Sequence, residues 1–158
     1  MSDSETDSQS IKALIVFREN GETDNLFVPI LCDAIRMAGI DVRCSTKEFW
    51  DSDKHYDIIH FQWPEEVVGW TCNDPDIIRR LEERISFFRS RGTRFVYTRH
   101  NVRPHYANGI ISRAYDIIES QSDIVVHMGR FSRDEFLTKY PDLSLIHISE
   151  PTRHLRIS

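Results

Sequence analysis

Five of the seven histidines precede residue 143, and four of these, His60, His100, His105 and His127, lie at or shortly after the ends of short apolar runs; only His55 stands elsewhere. Around them lie Trp63, Glu65, Arg99, Asn101, Arg103 and Ser132. An imidazole donates or accepts a hydrogen bond near neutral pH, an indole ring stacks on the apolar face of a sugar, and amides and carboxylates bond hydroxyls. The set suits carbohydrate. Each member also has a packing reading: His60 as a core-edge imidazole bonded to a carbonyl, Trp63 beside Pro64 as an anchor, Ser132 as a helix cap, Arg99 and Arg103 as solvated cations. The His100-Asn101 pair, placed straight after a buried run, makes the better case for ligand chemistry. No HExxH or similar local ligand pair occurs, so neither a metal nor another cofactor is expected. Upstream, Arg18-Glu-Asn-Gly-Glu-Thr-Asp-Asn25 has a single glycine and is neither a GxGxxG fingerprint nor a Walker loop. Asn20 and Gly21 there either turn the chain toward a ligand at the next helix N-terminus or belong to a plain solvated loop.

The elements that must position these residues alternate. Apolar runs at Ala13–Phe17, Val42–Thr46, Asp57–Phe61, Arg94–Thr98 and Asp123–His127 read as strands, the first as one buried on both faces and the second as a weaker one. Between them, Leu26, Phe27, Ile30, Leu31, Ala34, Ile35 and Ala38 recur at helical spacing and Gly39 closes that helix. Asp74 as N-cap with Pro75 at the first position opens a second helix carrying Ile77, Ile78, Leu81, Ile85 and Phe88. Ile110, Ile111, Ala114, Ile117 and Ile118 mark a third, and Ser132-Arg-Asp-Glu135 reads as a capping box opening a fourth through Tyr140. Strand and helix in alternation predict an α/β domain, Rossmann-like and doubly wound on a mostly parallel sheet. Ligands of such sheets bind beyond the carboxyl ends of the strands, where the histidines lie.

A net charge of −5 argues against a nucleic-acid partner. Cys32, Cys44 and Cys72 are too few and scattered for a disulfide scaffold or a zinc cluster, no apolar run is long enough to span a bilayer, and a cytoplasmic setting is expected. Residues 1–10, with Asp3, Glu5 and Asp7, read as a disordered acidic tail. At the other end, Leu143-Ser-Leu-Ile-His-Ile-Ser-Glu-Pro-Thr-Arg153 would pass as a sixth strand, but it is identical to the translation of the end of a transposon-based sequencing adapter. Residues 143–158 are therefore expected to be adapter-derived, leaving His147 and His154 without function, residues 11–142 as the folded unit, and native sequence continuing past Asp142.

The stretch His60-Phe-Gln-Trp-Pro-Glu65, at the end of a strand begun by Asp57-Ile-Ile, resembles the D-I-I-H-x-x-W-P-E segment of GT-B glycosyltransferases of the family 1/4-like group. Thr98-Arg-His-Asn101 followed by Pro104-His105 is similar to their T-x-H-N … P-H segment, and the order of elements over residues 11–142 fits. The resemblance implies the N-terminal, acceptor-binding half of a GT-B fold, incomplete at its C-terminus and inactive alone. A missing C-terminal half would bind the nucleotide-sugar donor, the acceptor would be a saccharide or glycolipid, and no metal would be bound. Peripheral contact with the inner face of the membrane is common in that group, although no basic amphipathic helix is evident here. By position, His100 matches the histidine beside the donor sugar in retaining members and is the expected catalytic residue. Asn20 and Gly21 match the acceptor-side loop, and His60, Trp63 and Glu65 the acceptor-cleft wall. Asn101, His105 and His127 complete the expected substrate-binding set. Two other readings stand beside this one: a stand-alone hydrolase or isomerase using His60 and His100 as acid and base, without any GxSxG nucleophile elbow, and a non-enzymatic sugar-binding domain.

Overall fold

A computed structural model describes residues 10–19, 25–104, 108–143 and 146–149. The acidic tail and, among the expected site residues, Asn20, Gly21 and His105 lie outside the described residues. In chain order the elements are β1 (Lys12–Val16), α1 (Phe27–Met37), β2 (Asp41–Cys44), α2 (Thr46–Asp51), β3 (Ile58–Phe61), α3 (Pro64–Val68), α4 (Asp76–Ser90), β4 (Arg94–Arg99), α5 (Gly109–Gln121), β5 (Ile124–His127), α6 (Arg130–Lys139) and β6 (Ile146–Ser149). The six strands form one sheet in the order β2-β1-β3-β4-β5-β6, every pair parallel. The chain is thus α/β with a wholly parallel, Rossmann-like sheet. Because β2 lies on one side of β1 and β3 on the other, connections diverge between β1 and β3, and that gap is the switch point at which such sheets open a crevice.

Side-chain alternation assigns the faces. Leu14, Val16, Ile59, Phe61, Phe95, Tyr97 and Val125 point to one side, into a core with Phe49 of α2, Val67 of α3, Leu81 and Phe88 of α4, Ile118 of α5 and Phe136 of α6. Ala13, Ile15 and Phe17 point to the other side, where Val28 and Cys32 of α1 cover them. Five helices therefore line one face of the sheet and α1 packs on the other.

Several local expectations are corrected. The apolar repeat of the first helix marks its buried face in part: Phe27, Leu31 and Ile35 pack on the core beside Val28 and Cys32, while Leu26 and Ile30 are each 64% exposed. The repeat is wider than the strip that the sheet covers, so one edge of it stays in water. Asp74 does not cap as N-cap; α4 starts one residue later, with Asp74 Oδ1 accepting from the Asp76 N–H at 2.9 Å. The Ser132–Glu135 capping box does not form either. The helix begins at Arg130 after Gly129, and the Glu135 carboxylate turns instead to Arg99 at 2.6 Å. Two short helices, α2 and α3, occupy stretches with no helical reading from sequence. Ile146–Ser149 adds to the sheet as its edge strand, paired with β5.

Candidate functional site

β3 and β4 run side by side with His60 opposite Val96, which sets the even-numbered residues of both strands on the α1 side of the sheet. His60 consequently reaches Thr98 across the pair, with Nε2 and Oγ1 2.8 Å apart. Two residues beyond Thr98, His100 lies over the switch point. Its ring stacks on Trp63, with centroids 4.1 Å apart and planes within 14°. Phe27, the first residue of α1, meets the same imidazole edge-on at 4.8 Å. Its Nε2 lies 2.8 Å from the side-chain oxygen of Gln62, which is fully buried. Trp63 is itself braced by Phe17, tilted against it at 5.8 Å, and is half-buried. Burial lowers the pKa of both histidines from 6.5 to about 4, with the proximity of His100 contributing at His60.

Beyond the ends of β1 and β2, Phe17, Arg18, Glu19, Val28, Cys32, Arg36 and Cys44 line an open cavity of about 210 Å³. Arg18 is held at its rim by Glu66, which also accepts from Trp70 Nε1 at 2.7 Å. The Glu66 bond raises the pKa of Arg18 and keeps the guanidinium charged. The Cys32 and Cys44 thiols meet across the cavity wall, and burial pushes both up, Cys44 to about 12, so neither is a ready nucleophile at neutral pH.

Of the expected site residues, the structure thus brings His60, Trp63 and His100 together. Glu65 lies apart, 0% exposed between α3 and α5, accepting from the Tyr115 hydroxyl at 3.0 and 3.1 Å. Asn101 bonds the same Tyr115 side chain. Glu65 thus belongs to the core contact between α3 and α5, while Asn101, half-buried, joins the end of β4 to it. His127 points to the opposite face of the sheet, fully buried beneath α6. Its Nδ1 lies 3.2 Å from Ser132 Oγ and its Nε2 3.0 Å from His147 Nδ1. Arg99 overturns its reading as a solvated cation. It is 1% exposed, bonded to Glu119 at 2.8 Å and to the Ser132 carbonyl at 2.9 Å, and so ties the end of β4 to α5 and α6. Sequence reasoning missed Gln62, Thr98 and Phe27. Gln62 and Thr98 stood inside the two quoted stretches, and the alternation of parallel neighbours would have set Thr98 diagonally across from His60.

Among the described residues no three His, Cys, Asp or Glu side chains gather into a metal-sized group, and no helix is long and apolar enough to cross a membrane. No protein-family model matches the chain, and no curated protein sequence matches it.

Proposed function

We propose that residues 11–142 are the acceptor-side half of a GT-B glycosyltransferase that moves a sugar from a nucleotide-sugar donor to a saccharide or glycolipid acceptor. The observation that carries this reading is the placement of His100 at the switch point, oriented by Trp63, Phe27 and Gln62. A neutral imidazole fixed in a crevice serves as a hydrogen-bond partner for hydroxyls, the role the family resemblance expects of it. The hydrolase or isomerase reading draws less support. His60 and His100 bond different partners, and two imidazoles with pKa values near 4 make a poor acid–base pair at neutral pH.

The donor would bind mainly to a second domain, with peripheral membrane contact through the glycolipid acceptor. Reading the source DNA onward from the codon for Asp142 tests this. A further α/β domain carrying a glutamate-bearing donor motif is expected, and an immediate stop codon would sink the proposal. In that longer protein, His100→Ala should cut turnover by roughly 10²-fold, the size of one lost transition-state hydrogen bond. A change in affinity with turnover intact would point instead to a sugar-binding domain.

A further inference from the structure

Gln62 is wholly buried just past the end of β3, yet only one of its two polar atoms is bonded. Its Oε1 lies 2.8 Å from His100 Nε2, while its Nε2 has no hydrogen-bond partner. A half-satisfied buried amide is not what packing alone favours, since an apolar side chain of similar volume would leave nothing unpaired. The bonded half has a definite chemical consequence. An amide oxygen carries no hydrogen, so the proton in this bond belongs to the imidazole and sits on Nε2. In a neutral ring the other nitrogen then holds a lone pair. Trp63 and Phe27 hold the plane of the ring, and a half-turn within that plane would carry Nε2 away from Gln62 Oε1, so the amide decides which nitrogen faces it.

We propose that Gln62 is a positioning residue that holds His100 as the Nε2–H tautomer, leaving Nδ1 to accept a hydrogen bond from a ligand hydroxyl. The ligand's identity as a sugar rests on the proposed function; the tautomer rests on this chain's own groups. A group that only accepts, such as a phosphate at high pH or a carboxylate, gains nothing from Nδ1 in this state.

The test is the long-range ¹H–¹⁵N spectrum of the full 158-residue chain labelled at histidine, with the His100 signals assigned by their loss in His100→Gln. The wild type should show His100 protonated at Nε2 and bare at Nδ1. Gln62→Leu should release the ring into a mixture of tautomers. Gln62→Glu, which keeps an acceptor, should preserve the Nε2–H form and raise the His100 pKa by about a unit or more, as an adjacent carboxylate does. If Gln62→Leu does not fold, the wild type and Gln62→Glu still decide the matter. An Nδ1–H wild type, or a Gln62→Glu variant with an unmoved His100 pKa, overturns the inference.

Titration with methyl glycosides separates the two claims. A shift of the Nδ1 resonance supports the acceptor role. An Nε2–H tautomer with no response to any glycoside leaves the positioning role standing and counts against the sugar reading. A response to inorganic phosphate alone overturns the hydroxyl preference.

Discussion

An imidazole buried without a counter-charge is held neutral, and His60 and His100 are both in that state. Their pKa values of about 4 in the folded chain compare with about 6.5 when exposed. Between those values the unfolded chain binds protons that the folded chain refuses. Stability is therefore full above pH 6.5 and is lost as the pH falls toward 4, by about 1.4 kcal/mol per pH unit for each histidine. His127, fully buried and also lowered to about 4, adds a third share. Urea midpoints from pH 7 to pH 4.5 should follow the summed slope, and His60→Asn should remove about a third of it; a level profile in the wild type would mean that the rings are charged or solvated. Glu65 is fully buried as well. Its carboxylate is kept in the core by the Tyr115 hydroxyl, so Tyr115→Phe should destabilise the fold by about 1–3 kcal/mol in chemical denaturation. A variant as stable as wild type would show that other groups suffice. The resemblance of the Trp63-Pro-Glu65 stretch to a transferase segment sets Glu65 in a cleft wall, and only the packing of α3 on α5 reveals that it faces inward.

Two Ser-x-x-Glu tetrads separate what can be read locally from what cannot. Ser45-Thr-Lys-Glu48 follows a strand and went unrecognised, yet it caps α2, with the Ser45 hydroxyl accepting from the Glu48 N–H at 2.9 Å. Ser132-Arg-Asp-Glu135 has the same form and does not cap, because Arg99 claims both the Ser132 carbonyl and the Glu135 carboxylate. Ser45→Ala should thus cost about 1 kcal/mol as a lost cap. Ser132→Ala should leave the start of α6 unchanged, as helical amide exchange protection would report. Arg99 is the larger lever at this scale. Replacing it with Met strips the buried Glu119 of its guanidinium, and a loss of about 3–5 kcal/mol is expected on thermal or urea unfolding. A loss below 1 kcal/mol would show that Lys139 and Tyr140, which also hold Glu119, carry the charge alone. The first five strands and four longer helices were legible because their apolar runs and Gly or Pro stops are properties of sequence neighbours. The short helices, the exposed edge of the α1 repeat and the burial of Arg99 were not, since each depends on partners twenty or more positions away or on which side of the sheet a helix lands.

The sheet as a whole is covered unequally. Parallel sheets are normally packed on both faces, since each strand alternates apolar residues to either side. Among the described residues five helices share one face, and α1 shields the other only over β2, β1 and the start of β3. Val96, Ile124 and Val126 point to the α1 side and are only half-buried, and Ile148 beside Val126 is 49% exposed. Leu26, Ile30 and Met37 add an exposed apolar stripe on α1 itself. An apolar surface of this kind gains by association, and the free energy scales with the area withdrawn from water. The chain is accordingly expected to bind an apolar dye and to sediment as a concentration-dependent mixture. A lysine placed in the middle of the open face cannot be buried against a second apolar surface without a large penalty. Val126→Lys should therefore abolish association and dye binding while the helices, packed on the opposite face, keep the circular dichroism of the parent. A parent chain that sediments as one monomer and ignores the dye would mean that the face is covered. Loss of the fold in Val126→Lys, with the same loss in Val126→Thr, would mean that Val126 belongs to the core. Under the transferase reading the expectation extends one step further: a longer protein in which further helices cover this face should ignore the dye without the lysine, because Val96 and Val126 would then be withdrawn from water.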